Sequence, residues 1–235
     1  MPPGGAGLRR RRSRELRGCG IIGVPSVDFR ETAMQLDFTT IAPAEAYRWL
    51  ASTVTPRPIA WVSTLSAEGA SNLAPFSFFQ VISDEPPTLM VNVSLRDDGS
   101  LKDTLRNVQA TGQLVIHLVG AAQAETMNAT SAWLPHGVSE IETVGIPTVS
   151  SVRVAPPRIA AAAVAFECEV AEIKPYPAEN PNCHLIFARV LLAHVDDAVL
   201  ADERHVDSAR LDLVGRLGGS HYSHTRDTFS MIRPR

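Results

Sequence analysis

The chain has 235 residues, 45% of them hydrophobic and 20% charged, with a formal net charge of −3. That is enough apolar material for one large domain with its own core, and the charge balance argues against a nucleic-acid partner. No apolar run approaches the roughly 20 residues needed to cross a bilayer, and Cys19, Cys168 and Cys183 show no CxxC spacing, which points to reduced thiols in the cytoplasm rather than a disulfide frame or a metal site.

Residues 1–33 differ from the rest. Arg9 to Arg12, Arg14, Arg17 and Arg30 face only three acidic residues there, so the remainder carries −7. Such a segment reads as a disordered extension, or as sequence upstream of the natural start, with the folded domain over 34–235 beginning at Met34. An RNA- or membrane-seeking arm is the alternative. A secretory signal is disfavoured because the apolar piece Ile21-Ile22-Gly23-Val24 is too short.

A helix is predicted over 43–51, with Pro43 in its first turn. Pro56 and Pro58 flank Arg57 and forbid helix there. A strand follows over 59–65 by its β-branched and aromatic content, then a turn at Glu68-Gly69, then an extended run over 72–79. Pro75 lies inside that run and cannot donate to a ladder, so the run is expected to be an edge or to be bulged at Pro75. A turn over 83–87 leads to an alternating strand over 89–95. The next helix spans 100–111, with Ser100 and Asp103 as a capping box and Gly112 as its stop. A strand over 114–119 carries His117, read as a packed or surface residue. A helix over 121–130, a loop over 132–145, a strand over 159–173, a proline-rich turn over 174–183 and a strand over 184–194 complete the pattern. On the long strand Cys168 falls on the apolar face and Glu167 and Glu169 on the polar one. Cys168 and Cys183 are read as buried and inert. Inserted rather than alternating helices favour an antiparallel barrel over βαβ units. GxGxxG is absent.

One group of residues suits an anion. Ser63 and Thr64 end a strand with two hydroxyls, and Arg57 stands at the strand's entrance. Lys102 and Thr104 sit in the first turn of a helix, whose free N–H groups and positive dipole end favour negative charge. If the sheet brings these together, a phosphate monoester is well held; otherwise Lys102 is a surface lysine on an ordinary capped helix. Asp103 is expected to cap that helix and orient Lys102. Glu140 and Glu142 are close in sequence, but neither they nor any Ser-His-Asp or Cys-His spacing identifies a catalytic residue.

The runs RPIAWVST and NLAPFSFF within 57–79 resemble the flavin reductase-like family. So do Glu85-Pro86-Pro87-Thr88-Leu89, Lys102-Asp103-Thr104, the run from Glu125 to Thr130, and the run from Arg216 to Tyr222, in the same order. The resemblance implies a mainly β fold, an FMN-binding split β-barrel of Greek-key antiparallel strands with inserted helices. It implies FMN as cofactor (FAD being the alternative), with the two parts of the anion site meeting at its phosphate. Asn72, Ala74, Pro75, Phe76 and Ser77 would supply the ring's apolar wall and polar edge; which of Phe76 and Ser77 faces the ring depends on the bulge. His136 is a candidate contact from the 132–145 loop. His221 is a candidate for a nicotinamide nucleotide's phosphates and Tyr222 for the ring. The activity implied is NAD(P)H:flavin oxidoreduction by a homodimer, feeding a monooxygenase or another redox partner. A flavoredoxin-type electron carrier and a flavin-binding protein without turnover are the alternatives.

Overall fold

The computed structural model describes residues 34–234. The basic segment 1–33, and Cys19 with it, lies outside the described residues. Residues 34–41 and the chain from Ala42 onward are two units. In the first, Asp37 forms a turn by accepting from the Thr39 N–H (2.9 Å) and hydroxyl (2.6 Å).

The second unit opens with α1 (Pro43–Thr53), where Pro43 occupies a position with no intrahelical N–H to lose. β1 (Ala60–Leu65) and β2 (Ser71–Phe76) form one antiparallel hairpin, β3 (Phe79–Asp84) and β4 (Pro87–Ser94) another. α2 (Asp103–Thr111) ends at Gly112, whose φ of 69° is the left-handed conformation that glycine adopts freely. Then come β5 (Gln113–Leu118), α3 (Ala124–Ala129), α4 (Glu140–Val144) and the short pair β6 (Thr148–Val149) and β7 (Arg158–Ile159). β8 (Val164–Tyr176) and β9 (Cys183–Val195) make a long hairpin. β10 (Leu200–Asp202) pairs with β11 (His205–Val206), α5 (Ser208–Leu211) follows, and β12 (Val214–Arg216) pairs with β13 (Tyr222–His224).

Seven strands form one antiparallel sheet in the order β2-β1-β5-β8-β9-β4-β3. Its two edge strands, β2 and β3, are separated by only Ser77 and Phe78. Laid flat, the edges of seven strands would stand roughly 29 Å apart at about 4.8 Å per gap. The link from Phe76 to Phe79 spans about 10 Å at most. The sheet therefore curls into a barrel, and at the seam the Phe78 C=O accepts from the Asn92 N–H of β4 (2.9 Å). Val62, Val91, Leu114, Ile116 and Ile186 fill the interior, with Leu105 and Val108 of α2 packed into the same cluster. A second cluster, Trp61, Leu73, Met127, Ile141 and Ile159, lies on the other face of β1 and β2 and holds α3 and α4 there. The mainly-β split-barrel expectation holds.

The local expectations are met in part. Pairing of β1 with β2 runs unbroken from Ala60↔Phe76 to Leu65↔Ser71 and β2 is an edge of the sheet, so of the two alternatives for Pro75 the edge is the one found and the bulge is not. α2 begins at Asp103 with Lys102 as its N-cap and no side-chain cap, so the Ser100–Asp103 capping box does not form. The 132–145 loop contains α4, capped by Ser139, whose hydroxyl accepts from the Glu142 N–H (3.3 Å). The extended run 72–79 divides into β2 and the start of β3. Glu167 is fully buried rather than solvent-facing. Its carboxylate accepts from the Val152 N–H (2.9 Å), the Arg153 N–H (2.5 Å) and His194 Nε2 (2.6 Å). Burial raises the Glu167 pKa, but these donors outweigh it and hold the carboxyl below its usual range. His117 is packed, not superficial: its Nδ1 lies 2.8 Å from the Trp61 C=O and its Nε2 accepts from the Ile159 N–H (2.9 Å). Cys168 and Cys183 are buried free thiols, and burial pushes Cys168 up to about 12.

Candidate functional site

β2, the tip of α2 and the segment after α3 enclose a cleft of about 640 Å³ counted to its open mouth. Asn72, Ala74, Pro75 and Phe76 of β2 form one side, Lys102 and Thr104 of α2 the second, and Thr130 to Leu134 the third. Arg96, Asp103 and Glu140 complete the lining.

The strand geometry explains what β2 offers. The Leu73 N–H donates to Glu140 Oε2 (2.9 Å) rather than to β1, so Leu73 and, two residues on, Pro75 turn their backbone groups away from the ladder. A proline at that position forfeits no ladder bond. Asn72, Ala74 and Phe76 alternate onto the other side, toward the barrel and α2.

The α2 tip is built for charge. The Leu105 and Arg106 N–H groups make the first bonds to the Lys102 C=O (3.0 and 3.1 Å), leaving the Asp103 and Thr104 N–H groups ahead of them. The Lys102 ammonium lies 5.8 Å from the centre of the Phe76 ring. Among the described residues no carboxylate is within ion-pair distance of it. Burial pushes its pKa below the usual lysine range, and the Arg96 guanidinium adds to that. A bound anion would reverse both effects. Glu140, at 8% exposure, is raised by burial, partly offset by the Leu73 N–H.

Thirteen residues were singled out from sequence, and six of them line this cleft: Asn72, Ala74, Pro75, Phe76, Lys102 and Thr104. Thr64 stands directly behind. Its hydroxyl oxygen accepts from Asn72 Nδ2 (3.2 Å) and Asn107 Nδ2 (2.9 Å), while Asn72 Nδ2 also donates to Thr104 Oγ1 (3.0 Å). Thr64 thus fixes the Asn72 amide rather than reaching the cleft. Ser63 points to the opposite face and donates to the Pro157 C=O (2.6 Å), so the two hydroxyls do not converge. Arg57 is buried elsewhere: it donates to the Ala51, Val54 (2.8 Å) and Leu217 (3.1 Å) carbonyls, closing the C-terminal end of α1. Ser77 lies on the link to β3 and is not among the lining residues.

His136 reaches Asp103 (Nδ1 to Oδ1, 2.5 Å) in an adjoining recess. Asp103 also accepts from the Gly137 N–H (3.0 Å) and lies 3.8 Å from Arg96. It therefore anchors the 131–139 segment instead of orienting Lys102. His221 is exposed and turns back on the Gly218 C=O (3.2 Å). Tyr222 packs under the Arg216 guanidinium (4.5 Å) and donates to Asn128 (3.4 Å), away from the cleft. Gly218 lies close against Ser52 of α1.

Sequence reasoning missed Arg96, Thr130, Trp133 and Glu140 as lining residues. Thr130 carries no signal of its own in the sequence, being one of three hydroxyl residues in the run Thr126 to Ser131. It is fully buried, accepts from Trp61 Nε1 (2.9 Å) and donates to the Met127 C=O (2.7 Å).

The profile of the "Flavin reductase like domain" matches residues 52–210. An uncharacterized protein of Aquifex aeolicus is 42% identical over 176 residues, covering 75% of this chain and 88% of its own length. The crystal structure of nitrilotriacetate monooxygenase component B from Bacillus cereus superposes with a TM-score of 0.82 at 27% identity, covering 86% of this chain and all of that one. That of Pseudomonas fluorescens 2-nitrobenzoate 2-nitroreductase NbaA gives 0.77, also at 27%, covering 86% and 96%.

Proposed function

The chain belongs to the flavin reductase-like family, and on that premise we propose that the cleft binds FMN and that the protein is an NAD(P)H-dependent flavin oxidoreductase. The observation that carries this reading is the pairing, in one cleft, of an uncompensated lysine at a helix tip with the unladdered side of β2. Lys102, the Thr104 hydroxyl and the two free N–H groups suit a phosphate dianion. Ala74, Pro75 and Phe76 suit the apolar face of a flat heterocycle, and the Asn72 amide, with the Pro75 C=O as an acceptor, suits its polar edge.

When bound, FMN supplies the hydride-accepting chemistry. This chain's own residues bind, orient and exclude water. Thr64 and Asn107 immobilise the Asn72 amide before any ligand arrives. Glu140 holds the edge of β2 at Leu73. No acid, base or nucleophile is required, because hydride transfer needs two rings stacked within reach and one face open. The B. cereus protein is a monooxygenase component by its name. By analogy, reduced flavin leaves this protein for a partner enzyme, and a homodimer in the cytoplasm is the working form.

The test is direct. Purified protein is loaded with FMN, its visible spectrum recorded, and NADH or NADPH added with free FMN or FAD. Oxidation of NAD(P)H that scales with added flavin supports the reductase. A tightly bound flavin with no such oxidation favours the electron-carrier alternative, and protein that takes up no flavin defeats both.

A further inference from the structure

The fold leaves one large aromatic side chain unexplained. Trp133 lines the mouth of the cleft yet is 66% exposed. Burying such a ring removes on the order of 150–250 Å² from water, so an exposed one forgoes a large hydrophobic gain. Its position is nevertheless held. The Arg96 guanidinium lies 5.9 Å from the ring centre and also donates to the Leu134 C=O (3.3 Å). The same segment is pinned further along, where Asp103 accepts from the Gly137 N–H. A fixed backbone, a cation beside an aromatic ring and open solvent over the ring together form a platform.

The charge arithmetic separates this platform from the flavin grip. Lys102 with the α2 tip suits one phosphate, whereas Arg96 is at 3.8 Å from a carboxylate already engaged by His136 and Gly137. Arg96 therefore shares its charge with Asp103 only through one long contact, and its guanidinium stands at the cleft mouth beside Trp133, within reach of a further anion. We propose that Trp133 and Arg96 form a second subsite at the cleft mouth for a planar aromatic ring carrying an anionic group: the molecule that meets the flavin, not the flavin itself. Stacking selects the ring, and the guanidinium selects the adjacent negative charge. Two sources share that chemistry, the adenine and phosphates of a nicotinamide dinucleotide and a small aromatic carboxylate. The inference rests on the reading that FMN fills the inner cleft.

FMN-loaded protein titrated with NAD⁺, NADP⁺ and benzoate, none of which turns over, reports the subsite through the visible spectrum of the bound flavin. The expected result is saturable perturbation by at least one of them. Measured at saturating FMN, Trp133→Ala weakens it at least fivefold and Trp133→Phe stays within about twofold of wild type. A response to the dinucleotides alone, or to benzoate alone, identifies the source. FMN-loaded wild type blind to all three ligands overturns the subsite while leaving the flavin reading intact. Loss of FMN by Trp133→Ala, to the extent that Lys102→Ala loses it, also overturns it, since Trp133 then belongs to the flavin's own site. Protein that takes up no FMN defeats both readings together.

Discussion

Acid weakens this fold through His117, and the size of the effect follows from its surroundings. The ring is fully buried, edge-on to Trp61, with Nδ1 facing the Trp61 C=O and Nε2 accepting from the Ile159 N–H. The neutral tautomer satisfies both partners, whereas a second proton would meet the Ile159 N–H head-on. Burial lowers the pKa from 6.5 to about 4; the Trp61 carbonyl opposes it, and the nearby Arg158 charge adds a lesser push downward. The folded value lies below the unfolded one, so the unfolded chain takes up the proton first. The stabilisation is complete above pH 6.5 and is lost as pH falls toward 4. From linkage the loss between pH 7 and 5 is about 2 kcal/mol, approaching roughly 3 kcal/mol below pH 4. A glutamine can donate to the Trp61 carbonyl and accept from Ile159 without titrating. Urea unfolding at pH 7 and pH 5 should therefore show wild type losing about 2 kcal/mol more than His117→Gln over that interval. Parallel losses in the two proteins would refute the reasoning.

Lys102→Ala should weaken FMN binding about ten- to a hundredfold, the range of a charge-assisted contact of roughly 1.5–3 kcal/mol, read by the fluorescence of free FMN. Added salt should weaken wild-type binding more than that of the variant. Asn72→Ala strips partners from Thr64 and Thr104, so the urea midpoint should fall by the equivalent of about 1–3 kcal/mol. Gly218→Ala places a Cβ 2.8 Å from Ser52 Cβ and 3.0 Å from Ser52 Cα, and because backbone must move, a loss of about 1–3 kcal/mol is expected in thermal melts.

What the sequence disclosed, and what it hid, divides along a physical line. β1, β4, β5 and α2 follow local period and propensity, and all appear within a few residues of expectation. The lysine at the α2 tip was legible because a helix start is a local event. Ser63 and Thr64 look like a pair along the sequence, but consecutive residues on a strand face opposite ways. Arg57 was assigned to the anion because it lay near the strand entrance, when its neighbours in space are the last carbonyls of α1. Glu167 alternates as a surface residue does, and only the 152–153 backbone, brought over it by the fold, makes it a buried anion. Arg96 meets Trp133 and Glu140 from more than 35 residues away in the chain, a separation that no local window can register.

The last strand-to-strand junction of the barrel falls at β2, and β2 is also the wall of the cleft. α4 covers one part of that open selvage, at Ser71 and Leu73, and leaves the stretch from Pro75 onward uncovered. A guest seated there does a strand's work, stitching the cylinder where the polypeptide leaves a gap. Occupancy should then register far from the cleft, as slower amide exchange along β2, β3 and β4, so that the molecule is tightened by what it carries.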